Sequence, residues 1–425
     1  MYDWANSVYN LVITTTFFPI YFTAVTKNVD GSDIVTFMGR KFVNSSLYDY
    51  TLAAAYLLVA LSYPILTSVA DTKGNKKNFM KVFCYMGAIG CSLLFFFKAD
   101  NLWLGVLAFM MASMGYVGSV VFYNAYLPEI AAPEDRDRIS AKGYTYGYIG
   151  SVIMQAIGFA LVLMIKDNPL LGPRITFLLV GLWWVGFAQI TFARLPKINR
   201  GEVKKINIFT DGFKEVKKVY GEVKKLAVLK RFLRGFFFYS MGVQTVMLAA
   251  TLFGSKLLGL EDTKLIVTVV LIQLVAIVGA ILMSRLSAIY GNIKVLLGVI
   301  IFWIIVCIAA YFTAQYKEDG GDPEYFFYVL AMAVGLVMGG IQSLSRSTYA
   351  KLMPETKDTA SYFSYYDLTE KIAIVIGIFS FGFIEELTGS MKNSVLSLII
   401  FFVIGFIWLL TALSKQQKET AAVVI

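Results

Sequence analysis

Histidine is absent from the 425 residues, cysteine occurs three times, proline nine times, and only 16% of the chain is charged. Without histidine there is no Ser-His or Cys-His nucleophile pair and no histidine-ligated metal. Any proton relay must run through carboxylates, tyrosines, lysine or water. Cys84, Cys91 and Cys307 fall inside apolar runs with no metal-ligand spacing, so they read as packing residues. No Walker-type phosphate loop occurs, which excludes an ATP-driven pump of that kind built from this chain alone. No basic leader with a short apolar core and small-residue cleavage site precedes the first apolar run. A soluble protein of this length carries about a quarter charged residues, well above what is found here. An enzyme is the least supported class, and no cofactor and no metal are expected.

What the chain has instead is apolar sequence: 58% of it is hydrophobic, in runs of about 20 residues separated by short charged clusters. This predicts an all-α membrane protein with twelve transmembrane helices, over 3–25, 50–70, 80–97, 101–127, 142–165, 174–193, 232–254, 264–286, 293–313, 325–345, 360–386 and 393–414. The first span starts almost at Met1, which leaves room for a few residues upstream of it. Loops on the side of Lys73–Lys81, with the C-terminal tail, hold 27 Lys and Arg; those on the other side hold 10. That asymmetry places the first group and both termini in the cytoplasm, the arrangement of a multi-pass protein of a bacterial inner membrane. The net charge of +10 therefore belongs to loops on one membrane face and does not call for nucleic acid.

The longest loop, 194–231, splits the spans into six plus six. It is strongly basic and repeats Glu-Val-Lys-Lys at 202–205, 215–218 and 222–225. Phe209, Phe213, Val216, Tyr220, Val223 and Ala227 recur at helical spacing. A basic amphipathic helix on the anionic cytoplasmic leaflet is expected over 204–231. The domains are then a six-helix bundle over 1–193, the linker over 194–231, a second bundle over 232–414 and a cytoplasmic tail over 415–425. A monomer is expected.

Polar residues inside spans are costly, so they mark where the bundle interior is wet. Lys371 lies about 16 Å along the eleventh span, near the middle of a hydrocarbon layer about 30 Å thick. Asp367 precedes it at i−4, the favoured order for a carboxylate and a lysine on one helix face, and Glu370 is its neighbour. The plain alternative is an internal ion pair that only neutralises both groups. In the first span Asp3, Asn6, Ser7, Asn10 and Thr14 form one polar stripe, which should face the bundle interior. For Asp3 alone, a first-turn acid stabilised by the helix dipole is the alternative. Gln155 at mid-depth in span five, Gln244 in span seven, Gln273 in span eight, and Gln342 and Ser345 in span ten are further cavity candidates. Gly143, Gly147 and Gly150 permit close helix approach in span five, as Gly335, Gly339 and Gly340 do in span ten.

Span two ends in Asp71-Thr72-Lys73-Gly74-Asn75-Lys76-Lys77, an acid followed by a tight basic turn able to hold neighbouring helix ends in one conformation and release them in another. After span eight the same turn recurs as Ala288-Ile289-Tyr290-Gly291-Asn292, with Ala288 in place of the acid. Leu352-Met353-Pro354-Glu355 follows span ten as Tyr126-Leu127-Pro128-Glu129 follows span four. Repeated halves with a site at mid-membrane are what rocking transporters use.

The Asp71 to Lys77 turn resembles the cytoplasmic signature of the major facilitator superfamily. Four further stretches resemble its vacuole-effluxer (autophagy-related amino-acid exporter) branch and that branch's bacterial relatives. They are Tyr2-Asp3-Trp4-Ala5-Asn6-Ser7, the Gly143 to Gly150 opening of span five, Gly242-Val243-Gln244-Thr245, and Gly340-Ile341-Gln342-Ser343-Leu344-Ser345-Arg346-Ser347. The resemblance runs from the first residues to span twelve. It implies the major facilitator fold, two pseudo-symmetric six-helix bundles, alternating access, and neutral amino acids as the cargo suggested for fungal members. It puts Asp3, Asn6, Gln244, Gln342, Arg346 and Lys371 at motif positions. Two departures bear on proton antiport: Met241 stands where many relatives carry an acid, and span five lacks the antiporter Gly-Pro motif.

The combined expectation is a secondary transporter moving a small solute by alternating access. Asp3, Asn6, Asn10, Gln155, Gln244, Gln342, Ser345 and Lys371 are the substrate-binding candidates. Asp3, Asp367 and Glu370 are the candidates for proton coupling, and Asp71, Gly74, Lys76, Lys77 and Arg346 form the gating motif. A zwitterion suits the charges, its carboxylate meeting Lys371 and its ammonium Asp3 or Asp367. Two other classes compete. A membrane sensor or scaffold would bind a ligand without moving it, and would account for the degenerate second turn. A lipid or amphiphile facilitator would have an apolar cavity open sideways to the bilayer.

Overall fold

The computed structural model describes residues 1–28, 32–196 and 208–424. In chain order the helices are α1 (Tyr2–Thr26), α2 (Asn44–Lys73), α3 (Lys76–Leu93), α4 (Leu102–Asn124), α5 (Arg136–Met164), α6 (Leu171–Arg194) and α7 (Ile208–Lys225). They continue with α8 (Ala227–Leu252), α9 (Asp262–Tyr290), α10 (Asn292–Glu318), α11 (Glu324–Leu352), α12 (Thr359–Thr388) and α13 (Met391–Val424). A hairpin of β1 (Ile34–Phe37) and β2 (Arg40–Val43) joins α1 to α2. Among the described residues, ten helices are long and apolar enough to cross a membrane by length and composition. The remaining long helices, α8 and α12, complete the twelve expected spans. α12 is short of apolar residues because Asp367, Glu370, Lys371, Glu385 and Glu386 all lie on it.

The chain divides into two compact units. Unit 1 holds Met1–Tyr126, Tyr146–Glu215 and Lys357–Ser364; unit 2 holds Leu127–Thr145, Val216–Thr356 and Tyr365–Ile425. The boundaries differ from the expected domains at two places: the first ten residues of α5 group with unit 2, and the first six of α12 with unit 1.

Within each unit, small residues set the helix contacts, because apolar lipid gives no hydrophobic drive and close van der Waals packing must hold helices together. In unit 1 a side chain at Gly90 would lie 2.5 Å from the backbone nitrogen of Ala112, fixing α3 against α4. In unit 2 a side chain at Gly335 would lie 2.5 Å from the Ile272 carbonyl oxygen, and one at Gly339 would overlap that of Ala276. Gly339→Leu is therefore expected to push α11 off α9 and cost about 1–3 kcal/mol or more by overpacking. The loss is read as a lower thermal unfolding temperature in detergent, against Gly298→Ala as an unchanged control, since that position is open.

Three local features are absent from the hydropathy pattern. The β-hairpin turns at Met38 and Gly39, both with positive φ (50° and 77°), which matches the strand twist of a two-residue turn. α1 widens to π geometry over Tyr9–Phe17. α13 continues as one helix through the segment expected to be a tail.

The expected linker helix forms as α7. The first Glu-Val-Lys-Lys repeat lies outside the described residues, as do the side chains of Phe209, Phe213 and Val216. Of the stripe, Val223 is buried inside the protein, as is Val219 beside it, so at Val223 the stripe packs on protein. Tyr220 meets Tyr365 of α12 at 6.3 Å between ring centroids.

Candidate functional site

The charged centre of α12 is the polar heart of unit 2. Lys371 Nζ lies 3.3 Å from Glu370 Oε2, and the two side chains are 18% and 20% exposed. Gln244 on α8 donates from Nε2 to the other oxygen of Glu370, Oε1, at 3.1 Å. That bond turns the carboxylate so that its second oxygen faces Lys371. Lys371 thus pairs with its neighbour Glu370, and Asp367, the carboxylate expected beside it from helical spacing, is buried one turn earlier. A charge pair at this depth is tolerated only where protein or water faces it. Partial exposure together with pairing meets that condition.

Gln342 directs Nε2 to the sulfur of Met247 at 3.4 Å, a weak acceptor. Ser345 is engaged: its hydroxyl is 2.7 Å from the Tyr239 hydroxyl and donates to the Ile341 carbonyl at 2.5 Å, and both side chains are buried. Arg346 donates from Nε to the Ser140 hydroxyl and from a terminal nitrogen to the Ser140 carbonyl, each at 2.9 Å, with its guanidinium over the Tyr144 ring at 4.5 Å.

In unit 1 the α1 stripe is buried as expected, with Asp3, Asn6 and Thr14 all inside and Asn10 half-buried. The Tyr123 hydroxyl donates to Asp3 Oδ2 at 2.5 Å. Gly147 and Gly150 allow α5 to lie directly on α1: a side chain at Gly150 would sit 3.0 Å from the Trp4 carbonyl oxygen, and one at Gly147 would strike the Ser7 hydroxyl. Gln155 is buried, with Nε2 donating to the Leu11 carbonyl and to the Thr16 hydroxyl, each at 2.9 Å. The hydroxyls of Thr15 and Thr16 donate to the same carbonyl at 2.8 Å. Widening the helix leaves Leu11 without its ordinary i+4 partner, and these three side chains take that place. Gln155 thus braces the π segment.

The gating turn is assembled around Asp71. Gly74, at φ 62°, ends α2 in the left-handed conformation that favours glycine. Asp71 accepts the backbone N–H of Ala360 at 3.2 Å and of Ser361 at 2.7 Å, and the Ser361 hydroxyl at 2.8 Å. Lys76 Nζ lies 3.9 Å from Asp71 and donates to the Thr359 hydroxyl at 2.6 Å; the lysine and aspartate side chains are 2–3% exposed. Lys77 donates to the Leu195 carbonyl at 3.0 Å. Tyr123 was missed as a partner of Asp3 because a tyrosine near a helix end carries no spacing signal that separates a hydrogen bond from packing.

The whole chain matches one family. Residues 1–422 match the family model described as vacuole effluxer Atg22 like. The chain belongs to this family. It is 30% identical over 99% of its length, and 96% of the other protein's, to a Bacillus subtilis (strain 168) protein called an uncharacterized MFS-type transporter, YxiO. It is 25% identical to autophagy-related protein 22 of Kluyveromyces lactis over 89% of this chain and 82% of that one.

Among solved structures, the human organic anion transporter MFSD10 superposes with a TM-score of 0.73 at 11% identity, covering 96% of this chain and 98% of that one. The Escherichia coli fucose:proton symporter FucP gives 0.67 at 13% identity, covering 97% and 95%. At such identities the likeness shows the fold alone, the twelve-helix major facilitator fold. This Atg22-like chain is accordingly a multi-pass integral membrane protein of a transporter family and not an enzyme.

Proposed function

We propose that this Atg22-like protein is a secondary transporter for a small zwitterionic solute, with neutral amino acids as the first candidates, working by alternating access in a bacterial inner membrane with both termini cytoplasmic. The observation that carries the reading is the partly exposed Glu370–Lys371 pair in the middle of α12. Opposite charges on adjacent residues offer a carboxylate and an ammonium group one counter-charge each. Gln244 and Gln342 supply neutral hydrogen bonding from α8 and α11. In unit 1, Asp3 with its Tyr123 bond is the corresponding candidate for proton coupling, and Asp367 and Glu370 are those of unit 2. Protonating such a carboxylate changes the charge it presents to its neighbours, the ordinary route by which a proton gradient biases two states. Asp71, Gly74, Lys76 and Lys77 are the gate.

Counterflow into liposomes with a panel of labelled amino acids, sugars, peptides and nucleosides tests this. Uptake of leucine or another neutral amino acid is expected, with a response to internal alkalinisation if protons are coupled. Exchange of sugars or nucleosides alone would overturn the cargo assignment. Ligand-induced thermal stabilisation without counterflow would identify a sensor instead.

A further inference from the structure

The turn after α9 carries a positive-φ glycine at the same spacing as the turn after α2 but lacks its acid. Asp71 and Gly74 are three residues apart, as are Ala288 and Gly291, and both glycines have positive φ, 62° and 87°. Asn75 and Asn292 follow them. In unit 1 the acid is on the turn and the donors are on the first turn of α12, where Ala360 is the second residue. In unit 2 the same parts appear with their positions exchanged. Asp137 is the second residue of α5, and it is buried. Its carboxylate accepts the Ser287 hydroxyl at 3.0 Å and the Asn292 side-chain amide at 2.6 Å, both from the turn after α9. Lys351, near the end of α11, completes the set with Nζ 2.5 Å from Asp137 and 3.0 Å from the Asn292 amide oxygen. Around it Arg136 donates to the Ala350 carbonyl at 2.7 Å, and the Ser140 hydroxyl to that of Ser343 at 2.8 Å.

We infer that Asp137 is the counter-acid of the second half: the carboxylate absent at Ala288 is carried by the first turn of α5, and it holds that turn during transport as Asp71 holds the first turn of α12. Asp137 is a positioning residue, acting through Lys351, Asn292 and Ser287 and not on the solute. The assignment rests on reading Asp71 as a gate. It explains why a degenerate second turn does not require loss of transport, since the charge pair survives with its ends exchanged. The buried acid is held by the part-buried lysine and by the two polar side chains of the α9–α10 junction, so removing either charge should release the segment.

The test uses the full chain in inside-out vesicles, with Ser343→Cys as a reporter. Ser343 is buried beside the segment, and the three natural cysteines are also buried. Labelling of position 343 by a membrane-impermeant maleimide is followed by mass spectrometry. Asp137→Asn and Lys351→Met are each expected to speed labelling about tenfold or more, within the range of ordinary coupling energies. Asp137→Glu should stay near the parent rate, and the exchange Asp137→Lys with Lys351→Asp should restore it to within a few-fold. Leu398→Ala, a buried apolar truncation on α13 in the same unit, should lower the unfolding temperature without changing the labelling rate.

Unchanged labelling in Asp137→Asn, or failure of the exchange to restore it, overturns the inference. Labelled leucine flux measured in parallel separates the two readings. Flux abolished by Asp71→Asn but untouched by Asp137→Asn strikes the Asp137 assignment alone. Labelling as expected with no leucine flux in any variant leaves the assignment standing and removes only the cargo.

Discussion

Lys371→Ala is expected to reduce amino-acid counterflow about a hundredfold while leaving the protein folded. The transport term is large because the lysine is the cation on offer to a solute carboxylate at mid-membrane in unit 2. A hydrogen bond to a charged group is worth about 1.5–3 kcal/mol, and a low-dielectric site sits at the upper end. At about 1.4 kcal/mol per tenfold, that range reaches a hundredfold. The stability term is small. The contact to Glu370 is 3.3 Å long and both side chains are partly exposed, so the unfolding temperature is expected to fall less than flux does. Glu370 also keeps its bond from Gln244. Counterflow and the unfolding temperature, measured on the same preparation, separate the two terms. Lys371→Arg should recover part of the flux, since charge is kept and geometry is not. Wild-type flux in Lys371→Ala would remove this residue from the solute path and leave Glu370–Lys371 as a neutralising pair.

Much of this architecture was legible because a bilayer constrains sequence strongly. Every backbone polar group in lipid must be satisfied within a helix, so hydropathy alone located the twelve long helices and the break between Arg194 and Arg231. Polar residues inside spans were legible for the same reason. Asp3, Asn6 and Thr14 are buried as their 3–4 spacing required, and Gly335 and Gly339 sit where α11 meets the α9 backbone. What escaped depends on tertiary partners. The π segment of α1 is braced by Gln155, 144 residues away from Leu11, whose amide donates to the Leu11 carbonyl. The β-hairpin turns on Met38 with a positive φ, a conformation composition does not foretell for methionine. The bonds of Gln155 to Leu11 and Thr16 and of Ser345 to Tyr239 were not legible either, because depth in a span does not reveal a side chain's partners. Asp137 looked like a loop charge because its partners, Ser287, Asn292 and Lys351, are distant in sequence.

That contrast bears directly on Asp71, a buried carboxylate of unit 1. Asp71→Ala is expected to lower the unfolding temperature markedly and to cut flux about tenfold or more. The change removes the recorded counter-charge of Lys76 and the acceptor for two backbone N–H groups and one hydroxyl at the start of α12. Breaking a buried pair by deleting one member costs about 3–5 kcal/mol, chiefly because the remaining charge is left in a poor environment. The double variant separates that cost from the loss of helix-end bonding. Lys76→Met in the Asp71→Ala background removes the stranded charge, so the double variant should be more stable than Asp71→Ala alone, a coupling of opposite sign to simple additivity. Flux should not recover with it, because Ala360 and Ser361 still lack their acceptor. Recovery of both stability and flux would make Asp71 only the partner of Lys76; recovery of stability alone marks the bonds to the first turn of α12 as what transport requires.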